Sequence, residues 1–201
     1  MVFRKLDLTK LMVVTPFDAS YAKEMGMKSQ AGFMSMITTS GLVDQPSVCN
    51  LVEFHSGTIS RVVKSTMAAG SASMSIALDR QLYSRMRIES VIHGEPDYTV
   101  EWRMKLKLLG VLVTDAKSLY GHLGKTGRIP RERHTLIDLL TARGLVENRA
   151  VMLKWMPTTH MLADVLTKQM RITKVIHDFL CHGRFCTVPT EEEHNVDYRR
   201  K

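Results

Sequence analysis

The sequence predicts an α/β domain, a mixed five-stranded sheet flanked by helices. Two observations carry that prediction. Short apolar runs of strand length at residues 11–17, 110–114 and 151–156 alternate with longer segments of helical spacing, in the order βββαβααβα. In addition, an aspartate stands where each of three apolar stretches meets a turn or helix, namely Asp18, Asp115 and Asp164. A carboxylate at the end of a buried strand is held by rigid backbone and faces the sheet edge, where ligands of open α/β sheets collect.

The elements follow in order. Residues 11–17 are almost continuously apolar, as in a strand buried on both faces, and Pro16 places a strand end or bulge just before Asp18. Residues 30–39 and 47–55 are the next two strands of a meander, separated by the turn-forming Ser40-Gly41-Leu42-Val43-Asp44-Gln45-Pro46. From Ser65 to Val91 the spacing of Met67, Met74, Ile76, Leu78, Leu82, Met86 and Val91 predicts a long helix with Ser65 or Thr66 as its N-cap. Gly94-Glu95-Pro96-Asp97 ends it, and residues 102–109 form an ambiguous basic and apolar stretch. A strand at 110–114, helices at 116–125 and 131–145, a strand at 151–156 and a last helix from 161 to about 180 complete the series. That last helix would carry Asp164 in its first turn.

At 201 residues the chain suits one domain with a substantial core. The expected division is a lead-in at 1–9, a domain at 10–182 and a disordered tail at 183–201. No segment approaches the roughly 18 to 20 apolar residues that span a bilayer, and the first residues lack the apolar core of a signal peptide. Three cysteines, Cys49, Cys181 and Cys186, make no even disulfide framework. These features together predict an intracellular protein, cytoplasmic or nuclear, with reduced thiols and no membrane partner. The net charge of +8 favours a polyanionic partner, because phosphate neutralisation releases counterions.

Clustered carboxylates are what Mg²⁺ and Mn²⁺ prefer. The segments around the three aspartates, together with a further one at residues 61–69, carry more than the acids. They read Asp18-Ala19-Ser20-Tyr21-Ala22 followed by Lys28-Ser29-Gln30-Ala31-Gly32-Phe33; Arg61-Val62-Val63-Lys64-Ser65-Thr66-Met67-Ala68-Ala69; Val113-Thr114-Asp115-Ala116-Lys117-Ser118-Leu119; and Trp155-Met156-Pro157-Thr158-Thr159-His160-Met161-Leu162-Ala163-Asp164. In order and spacing these resemble the ribonuclease H domain of copia-type LTR retrotransposon polyproteins, over roughly residues 10 to 175. The resemblance implies an RNase H-like sheet, a two-metal Mg²⁺ or Mn²⁺ site and hydrolysis of the RNA strand of an RNA–DNA hybrid. It further implies that Asp18 is the ligand shared by the metals, with Asp115 and Asp164 completing the set. A reverse transcriptase domain is expected upstream, since no Tyr-x-Asp-Asp polymerase motif occurs in the chain.

One departure bears on activity. The family pattern continues Ser-Thr-x-Ala-Ala-Glu, with the glutamate as a fourth metal-binding carboxylate. Here the stretch is Ser65-Thr66-Met67-Ala68-Ala69-Gly70. Glycine carries no ligand and costs about 1 kcal/mol relative to alanine inside a helix. Asp79, nine residues on, lies about two and a half turns away and cannot reach the same point. Weak or absent cleavage is the expectation.

His160, four residues before Asp164, is a candidate for assisting water or product release; the plainer reading is a loop residue before the last helix. Lys117, Lys125, Arg128, Arg131 and Arg133, with His134 beside them, are candidates for tracking the nucleic-acid backbone, against the alternative of a solvated helix face. His177, Cys181, His182 and Cys186 combine zinc-binding residue types, but their spacing fits no familiar finger and packing at a helix end explains them as well. Trp102 and Trp155 are expected to be core anchors, and the scattered methionines to be packing residues. Besides the nuclease, two further readings stand: a catalytically inactive module that binds hybrid or double-stranded nucleic acid, and a structural remnant.

Overall fold

The computed structural model describes residues 3–24, 28–39, 47–94, 102–124, 130–168, 173–185 and 187. Strands β1 (Leu11–Glu24), β2 (Lys28–Thr39) and β3 (Ser47–Thr58) form an antiparallel meander. On the other side of β1 lies β4 (Leu109–Thr114), parallel to it, and then β5 (Val151–Trp155), parallel to β4. A short β6 (Arg184–Phe185) pairs with the outer edge of β3, so the order across the sheet is β5-β4-β1-β2-β3-β6. β1 is therefore central, and Met12, Val13, Val14 and Phe17 are all at most 1% exposed. Burial on both faces is why this strand reads as a continuous apolar run rather than an alternation.

Helices α1 (Thr66–His93) and α3 (Lys117–Leu123) lie on one face, with α4 (Arg133–Glu147) packed on them and on β5, and Met74, Leu78, Leu82, Leu119, Leu139 and Leu145 join Phe17, Phe33 and Leu112 in one core cluster. The other face is covered by residues 161–163 and α5 (Lys174–His182), whose Ile176 and Phe179 meet Met12, Val14, Met34, Met36, Val111 and Val113. The stretch that was ambiguous in sequence contains a one-turn helix, α2 (Trp102–Lys105). Ser65 caps α1 as expected, its hydroxyl accepting from the Ala68 amide at 3.1 Å.

Three expectations are corrected. The sheet has six strands rather than five: β6 is two residues long, too short for any alternation to show. It forms because Gly183, at φ 60 in the left-handed region, ends α5 and turns the chain back, where its carbonyl accepts from the Cys49 amide at 2.7 Å and Phe185 enters the core. The start of the segment assigned to the tail thus belongs to the sheet, while residues 188–201 lie outside the described residues. Second, β1 does not stop at Asp18. Its paired positions pass from Val14↔Met36 to Phe17↔Phe33 and on to Ser20↔Gln30 without a change of register, and the Thr15 and Ser35 hydroxyls meet at 3.0 Å beside Pro16. The proline removes one donor and the strand continues past it. Third, the last helix is split. Residues 158–160 and 162–166 form separate 3₁₀ turns, and α5 starts afresh at Lys174 with the Thr173 hydroxyl accepting from the Ile176 amide.

The lead-in docks as well: the Arg4 amide donates to Asn50 Oδ1 at 2.8 Å, and Asn50 Nδ2 donates to the Arg4 carbonyl at 2.7 Å. Inside the core, α1 carries a polar stripe at Gln81, Arg85 and Glu89, all of it buried. Gln81 Nε2 donates to the Val111 carbonyl at 2.9 Å and to Thr15 Oγ1 at 3.0 Å, Arg85 Nε to the Leu108 carbonyl at 2.8 Å, and the Leu108 amide to Glu89 Oε1 at 2.6 Å. Burial pulls the Arg85 guanidinium down to about 10, with the Glu89 charge opposing the shift. Residues at i, i+4 and i+8 share one helix face, so this stripe sets the register of α1 over β4 and β1. Gly110 makes room for it, since a Cβ there would lie 2.5 Å from Gln81 Oε1 and 2.8 Å from Arg85 Nη1.

Candidate metal centre

Asp18 projects from the central strand β1, Asp115 directly follows β4, and Asp164 lies in the 3₁₀ turn at 162–166. β1 and β4 are neighbours in parallel register, Pro16 lying opposite Val113. The first two carboxylates therefore leave the sheet side by side. The third is delivered by the segment after β5, which is anchored in the core by Met161, Leu162 and Ala163, each at most 2% exposed. One ligand oxygen from each of the three acids lies within 4.8 Å of the others.

The KSQ-G segment explains how that delivery is achieved. Asp18 pairs with Gly32 across β1 and β2. A Cβ on Gly32 would stand 2.7 Å from Leu166 Cβ and 2.8 Å from Thr167 Cγ2, so only glycine lets residues 164–168 settle onto the strand. The Leu166 carbonyl is then held twice, by Gln30 Nε2 at 2.9 Å and Ser56 Oγ at 2.6 Å. Gln30, Gly32 and Ser56 form the seat that brings Asp164 to Asp18.

The remaining polar groups converge on the acids. Thr167 Oγ1 donates to Asp18 Oδ2. Lys168 Nζ donates to Asp164 Oδ1 at 2.7 Å and sits 3.2 Å from Asp18 Oδ2. Thr158 Oγ1 donates to Asp115 Oδ2 at 2.7 Å, and Trp155 Nε1 to the Asp115 carbonyl at 2.9 Å. Burial, reinforced by repulsion from Asp18 and Asp115 and opposed by Lys168, pushes the Asp164 carboxyl up to about 7. Burial likewise raises Asp115, against the Thr158 hydrogen bond. Burial alone would lower the Lys168 ammonium, but the hydrogen bond to Asp164 and the surrounding carboxylates raise it.

Gly70 lies in the second turn of α1 and lines a cavity of about 250 Å³ together with Asp18, Thr66, Thr114 and Ser118. A Cβ at Gly70 would meet only Leu119 Cδ2, at an ordinary 3.7 Å. The place where a fourth acid would project is therefore open and adjoins Asp18. As a donor set the site fits a hard divalent cation: its close-set acidic ligands are all carboxylates, which Mg²⁺ and Mn²⁺ favour, and a positive group, the Lys168 ammonium, is already held among them.

The other sequence candidates lie elsewhere. His160 ends the 158–160 turn with Nδ1 3.0 Å from Thr159 Oγ1, and it lines a separate pocket with Arg4, Asp178, His182 and Arg184. Lys117 is exposed and places Nζ 4.6 Å from the centre of the Trp155 ring, beside Asp115. Arg131 and Arg133 are exposed at the start of α4, whereas Lys125 and Arg128 lie outside the described residues. Cys181 Sγ meets His177 Nε2 at 3.5 Å, and Cys186 lies outside the described residues. Among the described residues the three aspartates are the only group of three or more acidic, histidine or cysteine side chains close enough to share an ion. Thr158, Thr167 and Lys168 were not foreseen in sequence. The signal for Lys168 was its i+4 spacing from Asp164.

No family model matches the chain, and no curated protein matches it. Among solved structures it is similar to the N-terminal RNase H domain of a Mycobacterium tuberculosis protein solved as a fusion with maltose-binding protein. The identity there is 15%, over 78% of this chain and 91% of that one, with a TM-score of 0.47. RNase H1 from the archaeon Halobacterium salinarum gives 15% identity over 78% of this chain and 94% of the other, also at 0.47. A foamy viral protease-reverse transcriptase in complex with dsDNA gives 14% identity over 82% and 97%, at 0.42.

Proposed function

We propose that this chain is the ribonuclease H-like domain of a copia-type retroelement polyprotein, that it holds RNA–DNA hybrid against the Asp18–Asp115–Asp164 edge, and that its cleavage of the RNA strand is impaired by the glycine at position 70. The observation that carries this reading is the convergence of three carboxylates, from three separated segments, to within 4.8 Å of one another. The parallel placement of β4 beside the antiparallel meander supports it. So does the way the Gln30–Gly32 seat draws the Asp164 segment onto β2.

Asp18, Asp115 and Asp164 would hold Mg²⁺ or Mn²⁺, which when bound supplies water activation and stabilisation of the leaving 3′ oxygen. Thr158 and Thr167 orient Asp115 and Asp18 by hydrogen bonds, much as groups behind metal ligands fix ligand geometry elsewhere. Lys117 extends the positive surface next to Asp115, where a phosphate backbone approaching the carboxylates would pass. Gly70 leaves the position of the fourth acid without a ligand, and a metal site short of one inner oxygen holds its ion less firmly and places it less well. The upstream reverse transcriptase domain belongs to this same reading.

A second reading, a catalytically inactive module that binds hybrid through A-form shape and phosphates, is favoured by the glycine at position 70 and by the lysine already neutralising two of the acids. A labelled RNA–DNA hybrid separates the two. Binding is expected to be sequence-tolerant and to weaken steeply as salt rises. Residual cleavage with Mn²⁺, abolished by Asp18→Asn, supports the nuclease; binding with no cleavage at any metal concentration supports the inactive module. Failure to bind hybrid at low salt sinks both.

A further inference from the structure

We propose that Lys168 is a built-in counter-ion that competes with divalent metal for Asp18 and Asp164, so that metal binds only by displacing the lysine ammonium. The inference rests on the metal-site reading above and specifies how that site is regulated.

Three observations carry it. Lys168 Nζ uses Asp164 Oδ1 at 2.7 Å and approaches Asp18 Oδ2 at 3.2 Å, so one ammonium occupies an oxygen on two of the three acids that would hold an ion. Hard cations and an ammonium draw on the same lone pairs, and two positive charges do not share them without strong repulsion. Second, the lysine is tethered but not trapped. Its backbone amide donates to the Asp164 carbonyl at 2.9 Å, while its side chain keeps 27% of its surface exposed, so the flexible stem can swing the ammonium into water without unfolding the turn.

Third, the charge balance suits the substitution at position 70. With three carboxylates, one ammonium together with the Thr158 and Thr167 hydroxyls gives each acid a donor. A fourth carboxylate beside Asp18 would exceed what this set can neutralise. The groups facing Lys168 are Asp18, Asp164 and, farther off, Asp115. The site is therefore self-satisfied without metal, which is a different state from a four-acid site that folds under its own repulsion until ions arrive.

The test is Mn²⁺ binding by the full chain, followed by calorimetry and by the spin-resonance signal of free Mn²⁺, for the parent, Lys168→Met and Lys168→Arg. Lys168→Met is expected to bind Mn²⁺ at least tenfold more tightly than the parent, and Lys168→Arg to remain within a few-fold of the parent. Without metal, Lys168→Met should melt below the parent, and Mn²⁺ should raise its melting temperature by more. A readout on the unaltered protein accompanies these: amine acylation followed by mass spectrometry should label Lys168 several-fold faster with Mn²⁺ present, with no comparable change at Lys117. If Lys168→Met binds within twofold of a parent that does bind, or if Mn²⁺ leaves Lys168 labelling unchanged, the competition is refuted while the metal site stands. If neither protein binds Mn²⁺, or if Asp164→Asn binds as well as the parent, the metal site itself is refuted and the competition with it.

Discussion

Placing at position 70 the fourth acid that the resemblance implies is the most exacting test of the proposed site. In Gly70→Glu the new Cβ meets Leu119 Cδ2 at 3.7 Å, an ordinary contact, and the side chain opens into the 250 Å³ cavity that Asp18 also lines. Steric cost is therefore small, and removing a helix-interior glycine stabilises α1 by about 0.5–1 kcal/mol. Against this, a carboxylate facing Asp18 across a pocket of this size adds repulsion of about 1–3 kcal/mol at the effective dielectric of partly buried sites. The metal-free variant should consequently melt a few degrees below the parent, at about 2–4 °C per kcal/mol for a chain of this length. Saturating Mn²⁺ at a hundred times its dissociation constant would return about 2.7 kcal/mol, enough to reverse the order. Scanning calorimetry with and without Mn²⁺ reads the first effect. A labelled hybrid reads the second: cleavage should rise by about 100-fold or more, and Asp18→Asn placed on Gly70→Glu should remove the gain. A parent that already cleaves as fast as Gly70→Glu, or equal Mn²⁺ stabilisation of the two proteins, would refute the reasoning.

Gly32→Ala should be the costlier of two glycine substitutions, by about 2–3 kcal/mol in chemical denaturation, because its Cβ meets Leu166 Cβ at 2.7 Å and the Leu166 backbone carbon at 3.4 Å, so the segment bearing Asp164 must move. Mn²⁺ affinity should fall with it; unchanged affinity would show that the seat does not position Asp164. Gly110→Ala meets only the ends of Gln81 and Arg85 and should cost about 1–2 kcal/mol while leaving Mn²⁺ binding intact, a dissociation that titration calorimetry reads directly. The metal-free protein should also lose stability as pH rises from about 4 to 7. Asp164 is raised from 3.8 to about 7 in the fold, and Asp115 is raised as well. The folded state thus holds more protons than the unfolded chain in that window, and the associated stability is present below it and lost through it. Melting at pH 4.5 and pH 7.5 tests this, and Asp164→Asn should flatten the slope.

The parts of this fold legible in sequence were those governed by local pattern. The central strand, the capped start of α1 at Ser65 and the three aspartates at element ends follow from apolar runs and short-range chemistry. The parts that were not legible depend on pairs distant in sequence. β6 exists because Gly183 reverses the chain and Cys49 offers an amide 134 positions earlier. The split of the last helix is enforced by Gln30 and Ser56 capturing the Leu166 carbonyl. A helical period across 161–180 is compatible with either outcome; the tertiary hydrogen bonds decide. Gln81 and Arg85 sit on what periodicity marks as the buried face, and nothing local shows that the Val111 and Leu108 carbonyls accept from them.

The same long-range pairs explain how a cluster of three carboxylates stays folded beside a glycine at position 70. Acids gathered at a sheet edge destabilise the metal-free protein, since each is partly desolvated and each repels the others. In this chain the opposing donors come from the neighbourhood of the acids themselves: Thr158 near the end of β5, and Thr167 and Lys168 in the turn that bears Asp164. A glycine rather than a fourth acid at position 70 spares Asp18 further repulsion and leaves the donors in place. The helix pays about 1 kcal/mol for the glycine, a loss of the same order as the repulsion it relieves. A glycine at this position is therefore neutral to mildly stabilising for the metal-free fold, and in the proposed site its cost would fall on ion binding, the expected asymmetry where a functional site is held together against its own electrostatics. It follows that the fold should outlast the chemistry: Asp115→Asn or Asp164→Asn in the Gly70 background should leave the metal-free protein as stable as the parent or more so at pH 7.5, whereas Lys168→Met should destabilise it. Destabilisation by both aspartate substitutions would mean that the carboxylates contribute to the fold through contacts stronger than the repulsion assigned to them.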